Sequence, residues 1–554
     1  MSGRKSKSKK ARGKRSEAAD SICSNSALGA QRSGLLQPSA VEKRLLVVAL
    51  DGATFDLIRP LAARGELPCM AELMARGWSA PLLSTIPAIT PPAWSSFATG
   101  ASPDEHRVFG FNYPEHDYSL RLTTAADLRR PTLWRRLSRA GVAVLLLDVP
   151  FTFPPEPVNG SLVAGFPLPT TAAFTHPPDL ADRLEAVGCA CPRYPAEAPD
   201  PAKPGFAGWL DQFLGERLWI FRHLLACRQW QFAMVGTMAL DWAQHALWKY
   251  FDRRFVFASE PGADVCSRTL FACYRAIDRF VANLAELAGR DTSILLVSDH
   301  GFGAAFHYDW VSEALAQAGL LFWRGGKRGL AATVGAAALK AVRSSPRLQR
   351  LGKKLLGDTT AARAWARRAR AYSQIDWKRT RVFPAGDYHL NLYVNSRSRF
   401  GRGIVAVGAD YAKVMNDAVA VLRSFRPPFH RLPLVRRIVR YEGGAKGLST
   451  RVPDLSLEIN TLPTPGDSEA VAPLAGLCGF HSPEGICIAS TVELLGRDRP
   501  ANMHITDLAS VILSYFGVQA DADGDIQSAV PSQSFSTEQS GVVLKSLRNL
   551  GYLD

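Results

Sequence analysis

Four short apolar runs, separated by stretches of helical periodicity, constrain this chain more than any other feature. Leu45-Leu46-Val47-Val48-Ala49-Leu50 ends in Asp51-Gly52, and the segments 142–149, 232–240 and 294–297 read the same way. A continuous apolar run of that length marks a strand buried on both faces, as strands of parallel sheets are. Strands alternating with helices predict an α/β fold with a doubly wound, mostly parallel sheet. In such sheets the functional groups gather at the carboxyl ends of the strands. The 554 residues are 47% hydrophobic and 21% charged, which excludes a mainly disordered, collagen-like or coiled-coil chain. No run of about eighteen uncharged apolar residues occurs, so no transmembrane segment is expected.

Charge is unevenly spread. Residues 1–44 hold eleven Lys/Arg against three Asp/Glu, about half of the formal net charge of +16. Poor in aromatics and rich in Ser, Gly and Ala, this stretch is predicted to be a disordered basic tail. It suits weak contact with anionic membrane or nucleic acid, although a solvated tail with no specific partner is the commoner outcome. It lacks the apolar core of a secretory signal, which points to the cytoplasm. The remainder, 45–554, is read as one catalytic domain with insertions at about 151–230 and 324–372. The second insertion is Ala-rich and basic and reads as a helical cap. Nine scattered cysteines suit reduced thiols. Cys189-Ala190-Cys191 matches no zinc knuckle, and residues 521–525 read as a turn rather than a calcium loop.

Acids and histidines stand where the apolar runs end. Asp51 follows the first run and Asp241 the third, with His245 four residues on, on the same face if a helix begins there. Asp299-His300 follows the fourth run directly, and His481 lies in Gly479-Phe480-His481-Ser482. Any one of them alone would read as a helix cap or a satisfied core group. Three Asp and three His together suit Zn²⁺ or Mn²⁺, enough for two sites of three ligands with positions left for substrate.

At these residues the chain resembles the type I phosphodiesterase/nucleotide pyrophosphatase family of the alkaline phosphatase superfamily. The matching pieces are Val48-Ala49-Leu50-Asp51-Gly52, then Thr90-Pro91-Pro92-Ala93-Trp94-Ser95-Ser96-Phe97-Ala98-Thr99-Gly100, then Asp241-Trp242-Ala243-Gln244-His245, Ser298-Asp299-His300-Gly301-Phe302 and Gly479-Phe480-His481. The resemblance implies a hydrolase of phosphate esters using two divalent metal ions, zinc with manganese as the alternative. It implies Thr90 as nucleophile, passing through a phospho-enzyme intermediate. Asp51, Thr90, Asp299 and His300 would serve one metal, and Asp241, His245 and His481 the other. It further implies Asn112 as the amide holding a phosphoryl oxygen, a residue or so off the expected spacing. Two cations beside a hydroxyl lower its pKa and clamp the phosphoryl oxygens, so the chemistry agrees with that assignment.

The chain departs from nucleotide-acting members at Ala93-Trp94, where they commonly carry Asn-His. Trp94 reads as a stacking surface for a base or aglycone, or more commonly as packing under the loop. His106 reads as a group that orients or caps that loop. A sulfatase is disfavoured, because Thr90 cannot give the aldehyde that chemistry needs and Trp94 takes the Arg position. A phosphoglycerate mutase normally uses Ser. The apolar residues after Thr90 favour a diester over a monoester, although Arg107 would be available to meet an extra charge. A phosphomonoesterase or phosphotransferase of the same superfamily is the alternative. The alternative of another class is a non-enzymatic anion-binding protein working through its basic tail, whose affinity would fall steeply with salt.

Overall fold

The computed structural model describes residues 43–169, 173–187, 199–227, 229–252, 256–259, 261–304, 309–324, 374–427, 432–441, 443, 449–460, 479–495, 503–519, 535 and 537–549. The tail 1–42, the pair Cys189 and Cys191, nearly all of the expected insertion 324–372 and the turn 521–525 lie outside them. Arg44, assigned to the tail from sequence, instead opens the first strand. Its backbone pairs with Thr292, and its guanidinium lies 5.7 Å from the centre of the Trp230 ring.

A nine-stranded sheet forms the centre. Its strands are β1 (Arg44–Leu50), β2 (Trp78–Leu83), β5 (Val144–Val149), β6 (Gly160–Ala164), β7 (Thr175–His176), β8 (Phe232–Thr237), β9 (Thr292–Val297), β16 (Glu484–Ala489) and β17 (Met503–His504). The spatial order is β17-β2-β16-β9-β1-β8-β5-β6-β7. From β9 to β6 the pairing is parallel, while β16 runs antiparallel between β9 and β2, and β7 runs antiparallel at the far edge. Part of the expected 151–230 insertion therefore extends the sheet itself.

Strand β1 shows why the run folds this way. Leu46, Val48 and Leu50 enter one apolar cluster, with Ile277, Val281 and Leu284 of the helix Ala263–Ala288. Leu45, Val47 and Ala49 enter the other, with Phe97 of the helix Thr90–Thr99 and Ile512 of the helix Asp507–Tyr515. Alternate residues thus face opposite layers, and each fully buried Leu or Val contributes about 1.5–3 kcal/mol. The run expected as a strand over 232–240 stops at Thr237 and becomes the helix Ala239–Phe251. The Thr237 hydroxyl accepts the amide of Ala239 at 3.3 Å, turning the chain from strand to helix.

Two antiparallel ribbons and a second sheet complete the described structure. β3 (Asn112–Pro114) pairs with β4 (Leu120–Leu122), and β10 (Gly301–Ala304) pairs with β15 (Gly479–Ser482). The second sheet, unanticipated from sequence, has the order β11-β12-β14-β13. It joins β11 (Val382–Ala385), β12 (Asn391–Val394), β13 (Val435–Arg440) and β14 (Leu455–Ile459), with the helix Ala409–Ser424 packed against it. Polar contacts tie it to the main body: Asn391 Nδ2 donates to the Phe109 carbonyl at 2.8 Å and the Tyr118 hydroxyl to Asn395 at 2.7 Å. Among the described residues, no helix is long and apolar enough to cross a membrane.

Candidate active site

The expected ligands are delivered by several different elements. Asp51 follows β1 and Asp299-His300 follows β9, its parallel neighbour. Asp241 stands in the first turn of the helix Ala239–Phe251, with His245 one turn later on the same face. His481 comes from β15, whose pairing with β10 sets it opposite Phe302, two residues after His300. The His300 and His481 rings stack at 3.7 Å. Thr90 is the first residue of its helix, so its hydroxyl lies at the positive end of the helix dipole. Asp51, Asp241, Asp299, His300, His481 and Thr90 are all buried.

The ligand atoms converge. The Asp241 Oδ1 lies 3.2 Å from His481 Nε2 and 3.5 Å from His245 Nε2, and the two histidine Nε2 atoms are 2.9 Å apart. On the other side His300 Nε2 lies 3.3 Å from Asp299 Oδ2 and 3.7 Å from Asp51 Oδ1. Two trios, Asp51-Asp299-His300 and Asp241-His300-His481, each hold their ligand atoms within 4.8 Å of one another. His300, assigned from the resemblance to one side, stands within reach of both.

The donor set fits a metal. Asp51 Oδ1, Asp299 Oδ2, both Asp241 oxygens, His300 Nε2 and Thr90 Oγ1 are buried without a hydrogen-bond partner. Six such atoms in one place would be costly unless a cation met them. Their other atoms are committed: Asp299 Oδ1 accepts the Gly52 amide at 3.2 Å, and Asp51 Oδ2 accepts the Trp94 indole N–H at 2.8 Å. The histidines are oriented likewise. His481 Nδ1 donates to the Ala88 carbonyl at 3.1 Å, His300 Nδ1 to the Gly301 carbonyl at 3.0 Å, and His245 bonds the Gly479 backbone. Protons held on Nδ1 leave Nε2 lone pairs facing the site.

Electrostatics point the same way. Burial, with the Asp299 and Asp241 carboxylates adding to it, pushes the Asp51 carboxyl well above its ordinary range. Burial and Asp241 do the same to Asp299. Burial alone would raise Asp241, yet His245, His481 and His300 outweigh it and hold that carboxyl low. Burial pulls His245 down to about 4 and His300 well below its ordinary value. Burial thus disfavours charge on Asp51 and Asp299, a cost that a cation bound among them would relieve.

The remaining expected residues have distinct places. Trp94 is 1% exposed, with its ring edge-on to Phe97; so enclosed, it does not offer a face for a base or aglycone to stack on. His106, fully buried, meets Ser96 Oγ at 2.9 Å through Nε2 and accepts the Val108 amide at 3.1 Å through Nδ1, tying the loop to the helix Thr90–Thr99. Asn112 opens β3, and its carbonyl approaches Gly386 of the second lobe. Arg107 caps the short helix Pro103–His106 in the left-handed region. Residues the sequence reading missed are Gly52, Gln244 and Tyr388. Gln244 Nε2 donates to the Gly52 carbonyl at 2.8 Å. The Tyr388 ring, at positive φ, lies 5.5 Å from His481 and 6.3 Å from His245. Gly52 had a signal, its place beside Asp51 at a strand end; Tyr388 had none.

No curated protein matches the chain. Among solved structures, phosphonoacetate hydrolase from Sinorhizobium meliloti 1021 in complex with phosphonoformate aligns at a TM-score of 0.44 and 15% identity, over 86% of this chain and 96% of that one. The same enzyme in complex with phosphonoacetate aligns at 0.43, with the same identity and coverage. The model of the family described as type I phosphodiesterase / nucleotide pyrophosphatase matches residues 45–416, the larger part of the chain. The chain therefore belongs to the type I phosphodiesterase / nucleotide pyrophosphatase family and is, at that level, a phosphoester hydrolase.

Proposed function

We propose that the protein hydrolyses small-molecule phosphate diesters through Thr90, with two divalent cations bound by the converging ligands, zinc with manganese as the alternative. The observation that carries this reading is the convergence of the buried, uncommitted ligand atoms of Asp51, Asp241, Asp299 and His300, with the Thr90 hydroxyl beside Asp51. Asp51, Asp299 and His300 would hold one ion beside Thr90, and Asp241, His245 and His481 the other. Three carboxylates and a Thr90 alkoxide carry four negative charges, which two divalent ions neutralise. Bound there, the cations would lower the hydroxyl pKa and stabilise charge developing on the phosphoryl oxygens.

Thr90 Oγ1 attacks phosphorus as its proton passes to solvent, and the bond from phosphorus to the leaving oxygen breaks. The leaving alkoxide takes a proton from water, and a phosphothreonine that still carries the second ester group remains. Water then attacks that phosphorus, the bond from phosphorus to Thr90 Oγ1 breaks, a phosphate monoester is released and the oxygen regains its proton. The helix dipole at Thr90 favours the anionic form of the nucleophile, and the Asn112 amide would hold a phosphoryl oxygen. The family whose model the chain matches is described as type I phosphodiesterase, which favours a diester over a monoester.

The test is Thr90→Ala, assayed for turnover and for bound metal together. A turn hydroxyl contributes only about 1 kcal/mol to stability, so the variant should fold and keep most of its metal on the Asp and His ligands. Turnover on a p-nitrophenyl phosphodiester should fall by several orders of magnitude, while Thr90→Ser keeps measurable activity. Near-parental turnover with full metal would reject the nucleophile.

A further inference from the structure

The geometry points to Trp94 as a positioning residue for the metal ligand Asp51. This inference rests on the proposed metal-dependent reading of the site and concerns what this chain does where nucleotide-acting relatives commonly carry histidine.

Trp94 stands four residues after Thr90 on one helix, so both side chains leave the same face a turn apart. Both address one carboxylate. The indole N–H donates to Asp51 Oδ2 at 2.8 Å, and the Thr90 hydroxyl lies beside the same carboxylate. Asp51 is fully buried, and its Oδ1 has no hydrogen-bond partner. Oδ2 is thus taken by a protein donor, and Oδ1 alone is left to face the cation. A carboxylate fixed this way binds through one oxygen in one orientation, instead of turning between one- and two-oxygen binding.

Trp94 is locked in turn. Its ring packs edge-on against Phe97 at 5.7 Å, inside the apolar layer that also holds Val47 and Ala49 of β1. An indole N–H has no acceptor capacity, so it cannot compete for the cation as a histidine nitrogen would. The residue therefore orients a ligand without becoming one. It also links the helix carrying the nucleophile to a ligand at the end of β1, so Thr90 and Asp51 are placed by one rigid element.

Calorimetric titration of chelator-stripped, full-length protein with Zn²⁺ tests this. Partners that orient metal ligands are typically worth 10–100-fold in metal affinity. Trp94→Phe should weaken one of two binding events by that factor and leave the other within about twofold of the parent. Trp94→Met, which has no N–H or O–H donor and adapts its shape to the space, repeats the measurement if the phenylalanine variant does not fold. In an Asp51→Asn background, Trp94→Phe should cause no further loss, because the carboxylate it orients is gone. A folded variant whose metal-free melting temperature drops while both affinities stay parental would overturn the proposal and leave Trp94 as packing. If the parent itself takes up no Zn²⁺, the metal-dependent reading fails and the inference with it, an outcome distinct from the first.

Discussion

His106 shows how much a single buried ring can set. Enclosed between Ser96 and the Val108 amide, it is pushed by burial down to about 3, against about 6.5 in an unfolded chain. Between those values the unfolded chain holds a proton that the folded one does not, so stability rises with pH up to about 6.5. It is lost as pH falls toward 3, at roughly 1.4 kcal/mol per pH unit from this group. His106→Gln should lose about 1–2 kcal/mol at neutral pH through its weaker hydrogen bonds. Its acid limb should be shallower by close to one proton, read from melting temperatures between pH 4 and 7. Equal slopes for the two proteins would mean that the ring is already protonated when folded. Gly52 is the second such residue. At φ +70 and with a Cβ position 3.1 Å from that of Asp241, it leaves no comfortable room for a side chain. Gly52→Ala should cost about 1 kcal/mol from the left-handed backbone and displace Asp241, so that a chelator strips the metal faster than from the parent. The candidate ligands Asp51, Asp241, Asp299 and His300 stand out in the sequence because each follows an apolar run. What commits the ligands' other atoms does not, since the partners of Asp51, His481 and His245 sit 43, 393 and 234 positions away.

At the scale of elements, the helix Pro68–Arg76 begins without help from its own neighbours. Leu67 offers no capping side chain, and Asp278 of the helix Ala263–Ala288 supplies the cap instead. Its oxygens accept the Cys69 amide at 3.1 Å and the Met70 amide at 2.8 Å. Asp278→Ala should therefore cost about 1–2 kcal/mol and Asp278→Asn less, measured by urea denaturation. A loss below a few tenths would show that water caps the helix as well. The same long-range logic decided which elements could be read in advance. β1 and β9 announced themselves because continuous apolar runs need cover on both faces. The third run was overextended because Met238, Ala239 and Leu240 are as apolar in a buried helix as in a strand, and only the Thr237 hydroxyl marks the change. The four-stranded second sheet was invisible because its strands are four to six residues long, too short for periodicity to separate them from turns.

At the scale of the whole molecule, the first strand of the central sheet begins at Arg44. A chain starting at Glu42 keeps that strand whole. It should melt within a degree or two of the full protein and hydrolyse a small soluble ester at the parental rate, as followed by scanning calorimetry and a p-nitrophenyl assay. A folded but inactive product would place residues 1–41 in the catalytic machinery. The succession of strands and helices made the central sheet readable as doubly wound. The antiparallel entry of β16 between β9 and β2 was not readable, because nothing local distinguishes a strand's direction. That late return of the chain has a consequence in time. Asp51 leaves the ribosome early and His481 only near the end, and the β10–β15 ribbon that seats His481 cannot close before residue 482 has been made. On the proposed two-ion reading, the site that needs His481 is completed only once residue 482 has been made, whereas the trio Asp51, Asp299 and His300 is complete much earlier in synthesis.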